Sequence, residues 1–137
     1  MSVKSISTIL LFSILCGCIQ SYNLNRNEEE YETFIEKFYT DSLFQLSRIK
    51  FPLEGFNSDE YNFFEEEVDD SKYFWKKKNW IMLKSIDKNS KIKFKITKND
   101  SIIKEENYIP DSGFIIEKRF KRTKGKWYLI FYFYQNS

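Results

Sequence analysis

The hydrophobic pattern of this chain changes its period once, and that change limits the possible folds more than any other feature. Over residues 28–46 apolar side chains recur every three to four positions, which predicts one amphipathic helix. From Trp80 onward the period becomes two, which is typical of strands with one buried face. The chain is therefore predicted to be α+β, with an amino-terminal helix packed on a curved antiparallel sheet of four to six strands.

The boundaries of these elements follow from local signals. Asn27 and Glu30 have the spacing of a capping box and predict the helix start. Pro52 suggests that residues 47–53 form a short edge strand. The other strands are predicted at 91–96, 101–108, 114–122 and 127–134, with a turn at 123–126.

The alternation also predicts which side chains are buried. In the 91–96 strand Ile92, Phe94 and Ile96 are expected to face the core while the lysines face water. If Arg122 opposes Trp127, two faces follow for the last hairpin, and a bulge at Gly125 would exchange them. The predicted inner face holds Ile116, Phe120, Trp127, Leu129, Phe131 and Phe133. The predicted outer face holds Ile115, Glu117, Arg119, Lys121, Tyr128, Ile130, Tyr132 and Tyr134.

The composition predicts a folded domain with an aromatic core. The chain has 14 Phe, 9 Tyr and 3 Trp among 137 residues, and disordered chains are poor in aromatics. It has no alanine, so Phe, Tyr, Ile and Leu must build the core. We find no repeat and expect one α+β domain over residues 28–137.

The first residues have the features of an export signal. An apolar stretch at 6–15 follows Lys4 and is shorter than the roughly 20 residues that cross a bilayer as a helix. The sequence Leu15-Cys16-Gly17-Cys18 resembles the lipobox of bacterial lipoproteins, which implies cleavage after residue 17 and a lipid on Cys18. Residues 1–17 are then a signal peptide and 18–27 a tether. We expect fatty acylation, such as palmitate, and anchoring in the cell envelope, with periplasm and cell surface both left open.

Several kinds of chemistry are excluded by residue type. Histidine is absent, which removes imidazole bases and imidazole metal ligands. Cleavage and lipidation would consume both cysteines, so we expect no catalytic residue of these kinds and no cofactor. The acidic run Glu65–Asp70 lacks the spacing of a calcium loop, and no metal is predicted.

A basic and aromatic stretch near the carboxyl end raises the alternative of nucleic-acid binding. It contains Lys118, Arg119, Phe120, Lys121, Arg122, Lys124, Lys126, Trp127 and Tyr128. The net charge is only +2 and the chain carries an export signal, so a solvated hairpin end is the favoured interpretation and nucleic acid is not an expected partner.

Two segments also resemble a known group of proteins. Residues 38–53, together with Gly125-Lys126-Trp127-Tyr128-Leu129, are similar to uncharacterised Bacteroidetes-type lipoproteins thought to adopt the cone-shaped fold of nuclear transport factor 2. The resemblance spans about residues 28–134. It implies helices in the concavity of a bent sheet, often with a pocket, but no activity.

Enzymes of that fold place a carboxylate base and a tyrosine donor in an apolar pocket, so the resemblance makes Asp41 with Tyr128 or Tyr132 a candidate pair. The favoured interpretation is structural, with Asp41 or Arg48 acting as a helix-end charge or as an ion pair that locks the helix to the sheet.

The leading functional hypothesis is a non-enzymatic lipoprotein that binds a small ligand or a protein, held on the membrane through Cys18. Pairing of two copies through the sheet is left open. One alternative is a histidine-free acid/base enzyme of the ketosteroid-isomerase type. Another is an immunity protein whose acidic stretch 54–70 neutralises a basic toxin.

Overall fold

The computed structural model describes residues 28–60, 72–87 and 91–136. Two helices, α1 (Tyr31–Thr40) and α2 (Ser42–Ser47), precede the strands, and a 3-10 turn occupies Lys77–Asn79. The strands are β1 (Leu53–Asn57), β2 (Tyr73–Trp75), β3 (Lys93–Lys98), β4 (Ile102–Tyr108), β5 (Ile115–Thr123) and β6 (Lys126–Gln135). They form one six-stranded sheet in the order β2-β1-β6-β5-β4-β3. The α+β class is confirmed. The predicted signal peptide, the tether with Cys18, and the acidic run 65–70 lie outside the described residues.

The predicted single helix over 28–46 is wrong in its start and its continuity. It begins at Tyr31 after Glu30, whose side chain makes no capping hydrogen bond, while Asn27 lies outside the described residues. It is then interrupted at Asp41, which has extended backbone angles. The Asp41 side chain accepts a hydrogen bond from the Phe44 amide at 2.9 Å and so caps α2. Aspartate is among the preferred N-cap residues, which explains a new helix start within a continuous apolar stripe.

The sheet is an antiparallel meander from β3 to β6, as predicted, but it is not antiparallel throughout. Strand β1 pairs parallel to β6, with Gly55 opposite Tyr132. The predicted edge strand at 47–53 is also wrong, since only Ile49 makes an isolated bridge before β1 begins at Leu53, inside the sheet. A Cβ on Gly55 would lie 1.8 Å from the Tyr132 carbonyl oxygen, so glycine permits this close pairing.

The last hairpin closes as predicted, with Arg122 opposite Trp127 and a two-residue turn at Lys124-Gly125. Both turn residues have positive φ, as a type I′ turn requires. A bulge follows at Ile130, because Phe120 pairs with Leu129 while Arg119 pairs with Phe131.

The bulge corrects the predicted faces of β6. Trp127 and Leu129 are buried, but beyond Ile130 the buried side chain is Tyr132, while Phe131 and Phe133 are only half-buried. One extra residue reverses the alternation, so Phe131 and Phe133 leave the predicted inner face and Tyr132 and Tyr134 join it.

Strand β3 also corrects a prediction. Phe94 and Ile96, expected in the core, are 57% and 42% exposed, and Ile92 is half-buried. The strand lies at the edge of the sheet, whereas the side chains of α1 pack over the centre, against Phe120 and Trp127.

The core itself is aromatic, as the composition predicts. Phe34, Phe38 and Phe120 are almost fully buried, and Phe120 contacts the other two rings edge-on at 5.6 and 5.4 Å between centroids. Edge-to-face pairs of this kind add about 0.5–1.5 kcal/mol each beyond the area they bury. The helix is therefore held on the concave face by rings from both layers.

Candidate functional site

A cavity of about 270 Å³ lies on the concave side of the sheet, beside the carboxyl end of α1. We call it the Asn107 cavity. Its walls come from α1, β3, β4, β5 and the irregular segment before β3. They consist of Tyr39, Ser85, Ile86, Asp87, Ile92, Phe94, Asn107 and Lys118.

Strand alternation places the polar side chains of this region. Ile103, Glu105 and Asn107 are the buried positions of β4, so all three face the helix layer. Glu105 is directly opposite Lys118 on β5. Tyr39 belongs to the last turn of α1, above this pair. These four polar side chains thus lie on regular elements, whereas Ser85, Ile86, Asp87 and Ile92 come from the irregular segment.

Glu105 is the centre of a buried hydrogen-bonded cluster. Its Oε1 accepts a hydrogen bond from the Tyr31 hydroxyl at 2.8 Å, and its Oε2 accepts one from the Tyr39 hydroxyl at 2.8 Å. Lys118 Nζ forms an ion pair with Oε2 at 3.0 Å and also donates to the Tyr39 hydroxyl. The Glu105 and Lys118 side chains are 3% and 5% exposed, so this charge pair is almost fully removed from water.

Burial changes the acidity of the groups around Glu105. It raises the pKa of Tyr39 well above its usual value, and the negative charge of Glu105 raises it further. Tyr31 is shifted in the same direction for the same two reasons. Burial lowers the pKa of Lys118, and the attraction of Glu105 opposes that shift. Both phenols are consequently protonated donors at neutral pH.

Asn107 differs from Glu105, Tyr39 and Lys118 because its hydrogen bonding is incomplete. The residue is 1% exposed, and among the described residues its Oδ1 has no hydrogen-bond partner. Buried polar side chains in folded proteins nearly always have partners, so an unpaired one requires an explanation. Asn107 is also one of the residues that line the cavity.

The remaining wall of the cavity is mostly apolar and its charges are nearly balanced. Ile86, Ile92 and Phe94 provide the apolar surface. The charge of Lys118 is compensated by Glu105. The arrangement suits a small uncharged molecule with an apolar body and a hydrogen-bond donor.

A second buried polar side chain, Gln45, connects the helices to the segment 80–87. Gln45 is 1% exposed, and its Nε2 donates to the Phe38 and Leu83 carbonyls at 2.7 and 2.9 Å. Its Oε1 accepts from the Leu83 amide at 2.9 Å and from Trp80 Nε1 at 3.3 Å. Gln45 thereby fixes the middle of the irregular segment 80–87 across the concavity, with the Asn107 cavity on one side.

The residues singled out from sequence are dispersed. Asp41 caps α2, and Tyr128 lies under the cations of Arg48 and Lys50 rather than in the cavity. Tyr132 faces the concave side but does not line the Asn107 cavity. The suggested Asp–Tyr pair is therefore not assembled.

The structural interpretation of Arg48 is confirmed. Its two terminal nitrogens each donate to one Glu29 oxygen at 2.8 Å. Glu29 Oε2 also accepts from the Trp127 amide, and Arg48 donates to the Trp127 carbonyl. This paired geometry joins the segment before α1 to β6.

Three basic side chains of the last hairpin pair with different acidic residues. Lys118 is buried in the ion pair with Glu105, Arg119 bonds Glu117, and Arg122 bonds Glu28 at 2.8 Å.

Sequence reasoning missed Glu105, Asn107 and Tyr39. The period of β4 contains the signal, since Ile103 is core-facing and residues two and four positions later share its face.

No family model matches this sequence, and no curated protein matches it. Two solved structures from Bacteroides share its fold. The NMR structure of a protein from Bacteroides uniformis is 23% identical, with a TM-score of 0.53, over 80% of this chain and 77% of that one. The crystal structure of a nuclear transport factor 2-like protein from Bacteroides fragilis is 20% identical, with a TM-score of 0.52, over 80% of this chain and 48% of that one. These likenesses support the nuclear transport factor 2-like fold and carry no activity.

In the three described ranges, no helix is long and apolar enough to span a membrane. In the same ranges, no cluster of three or more acidic, cysteine or histidine side chains is arranged to hold a metal ion.

Proposed function

We propose that this protein is a non-enzymatic binding module of the bacterial cell envelope that holds a small neutral molecule in the Asn107 cavity. The observation that carries the proposal is Asn107, which lines the cavity and whose buried Oδ1 has no partner in the described structure. An apolar cavity with a few convergent polar groups is the usual form of a small-molecule site.

The lining supports a specific ligand chemistry. A donor on the ligand would pair with Asn107 Oδ1, while its apolar body would contact Ile92 and Phe94. An anion would gain little, because Glu105 already compensates Lys118. A volume of about 270 Å³ is slightly below the range of roughly 300–1,000 Å³ for ligand pockets, so the molecule is small.

The hydrogen bonding of Glu105 favours binding over acid/base catalysis. Both of its oxygens already accept hydrogen bonds, from Tyr31 and from Tyr39, and Lys118 adds an ion pair. To take a proton from a substrate, Glu105 would have to give up one of these interactions. A general base needs an oxygen within hydrogen-bond reach of the substrate, and Glu105 is not among the residues of the cavity wall.

Placement in the envelope rests on the amino-terminal sequence. Leu15-Cys16-Gly17-Cys18 supports lipid attachment at Cys18, and two or more acyl chains suffice for stable anchoring. Mass spectrometry of the natively expressed protein should find an acylated amino-terminal Cys18. An intact leader without acyl mass would contradict this part of the proposal.

Matched small molecules test the binding function. Benzamide has donor and acceptor, acetophenone has the same shape without a donor, and benzoate is the anion. We expect NMR titration to give benzamide about tenfold tighter binding than either of the others, the worth of one hydrogen bond to a buried group. The perturbed amides should surround Asn107.

Two variants complete this experiment. Asn107→Leu should remove the preference for benzamide, whereas Asn136→Leu, the same change at an exposed position, should preserve it. Equal binding of acetophenone and benzamide to the wild-type protein, or an unchanged preference in Asn107→Leu, would contradict the proposal.

A further inference from the structure

A second cavity lies on the other side of the segment that Gln45 holds. It has a volume of about 280 Å³, and we call it the tryptophan cavity. Strands β1, β2 and β6 and the segment after the 3-10 turn supply its walls. They consist of Asn57, Asp59, Trp75, Trp80, Ile81, Leu83, Tyr132 and Tyr134.

Aromatic rings facing in different directions form most of this wall. Trp75 and Trp80 are nearly perpendicular, at 89°, with centroids 5.9 Å apart. Tyr132 meets Trp80 at 74° and Trp75 at 54°, with centroids 5.4 and 5.0 Å apart. At these distances the rings contact one another and together form one aromatic wall of the cavity.

Three polar atoms of the cavity wall are already engaged. Trp75 Nε1 donates to the Tyr132 carbonyl at 2.8 Å, and Trp80 Nε1 donates to Gln45 Oε1 at 3.3 Å. Asn57 Oδ1 accepts from the Asp59 amide at 3.2 Å. Neither indole N–H group is therefore available to the hydroxyls of a sugar, and both tryptophans offer a ligand only their apolar and π surface.

The charge of the cavity is negative. Asp59 is exposed and is the one ionic side chain among the described residues of the wall, and none of those residues is basic. Burial, with a contribution from Tyr134, raises the pKa of Tyr132 to about 12, so this phenol stays neutral at physiological pH. The negative faces of the rings and the Asp59 carboxylate attract the same kind of ligand.

We propose that the tryptophan cavity binds a small organic cation with an alkylated ammonium group. The alkyl groups would contact the rings of Trp75, Trp80 and Tyr132, and Asp59 would pair with the positive charge. A bare metal ion does not fit, because one carboxylate and aromatic rings cannot provide the oxygen ligands it requires. This site is distinct from the Asn107 cavity and does not depend on the function proposed for it.

Choline and 3,3-dimethyl-1-butanol test this assignment, since they have nearly the same shape and only choline is charged. Titration of the full chain, followed by tryptophan fluorescence and by NMR of the indole N–H groups, should give about tenfold tighter binding of choline. The signals of Trp75 and Trp80 should shift, and that of Trp127, which lies in the core, should not.

Two aspartate variants provide the controls. Asp59→Asn should weaken choline binding by about three- to tenfold and leave the neutral alcohol unchanged, because only the cation interacts with the carboxylate. Asp100→Asn, the same change at an exposed turn outside the cavity wall, should affect neither. Asn107→Leu should also leave choline binding unchanged, which separates the two sites.

Four results would overturn the inference. They are no choline binding at millimolar concentration, equal affinity for the neutral alcohol, an unaltered choline affinity in Asp59→Asn, and tighter binding of methyl glucoside than of choline in this cavity.

Discussion

Replacing Asn107 by leucine should make this protein more stable while it removes the hydrogen bond to the ligand. The side chain is 1% exposed and its Oδ1 has no partner in the described structure. A buried polar group without a partner costs about 1–3 kcal/mol. Leucine has the same branching at Cγ, and the adjacent cavity has space for its larger volume.

The size of the effect follows from two opposing terms. Removal of the unpaired oxygen recovers about 1–3 kcal/mol, and residual overpacking subtracts part of this. We expect the free energy of unfolding of Asn107→Leu to rise by about 1 kcal/mol. For a domain of this size, that corresponds to an increase in melting temperature of about 4 °C.

Urea unfolding followed by tryptophan fluorescence measures the change. Asn136→Leu is the control and should stay within about 0.5 kcal/mol of the wild type, as exposed substitutions usually do. If Asn107→Leu loses about 1 kcal/mol or more, the amide has a structural partner in the native protein, and the argument from an unpaired oxygen is refuted.

Three further predictions concern the polar side chains of the concave face. Gln45→Leu should lose about 3 kcal/mol of stability in urea unfolding, because four hydrogen bonds, including two with Leu83, disappear and leave buried partners; an unchanged midpoint would mean that the segment 80–87 is held by its rings. Glu105→Gln should lower the free energy of unfolding by about 3–5 kcal/mol, because it leaves Lys118 buried without its counter-charge. The double variant Glu105→Leu/Lys118→Met should recover most of this loss. Additive losses would contradict a coupled pair. Above pH 10 the free energy of unfolding should fall, because the two tyrosines that donate to Glu105 have raised pKa values and keep their protons in the folded state while the unfolded chain loses them. The lowered pKa of Lys118 acts in the opposite direction. Unfolding at alkaline pH measures the effect, and Tyr39→Phe should reduce the loss of stability.

The sequence predicts the parts of the fold that depend on local pattern. The meander from β3 to β6 and its closing turn follow from two-residue alternation and from Gly125. The role of Arg48 follows from its position after an apolar stripe, where a cation can join helix and sheet.

Tertiary context decides the rest. The apolar stripe continues through Asp41, so it does not indicate that Asp41 caps a second helix. An alternating strand has the same pattern at an edge as in the centre, so the exposure of Phe94 depends on how far α1 extends. The bulge at Ile130 has no glycine or proline to mark it, yet it determines that Tyr132 faces inward.

The candidate sites were less predictable for a related reason. A charged residue on a strand is assigned to water unless its partner is known, and the partner of Glu105 lies on the adjacent strand and on a helix distant in sequence. The parallel pairing of β1 with β6, which brings Trp75 beside Tyr132, is likewise a long-range event.

A crystal structure of the protein soaked with benzamide would show whether the Asn107 cavity is a ligand site. We expect density in the Asn107 cavity, with the amide nitrogen of the ligand about 2.9 Å from Asn107 Oδ1 and the ring against Ile92 and Phe94. A cavity without density, or an Oδ1 already bonded to another group of the protein, would contradict it.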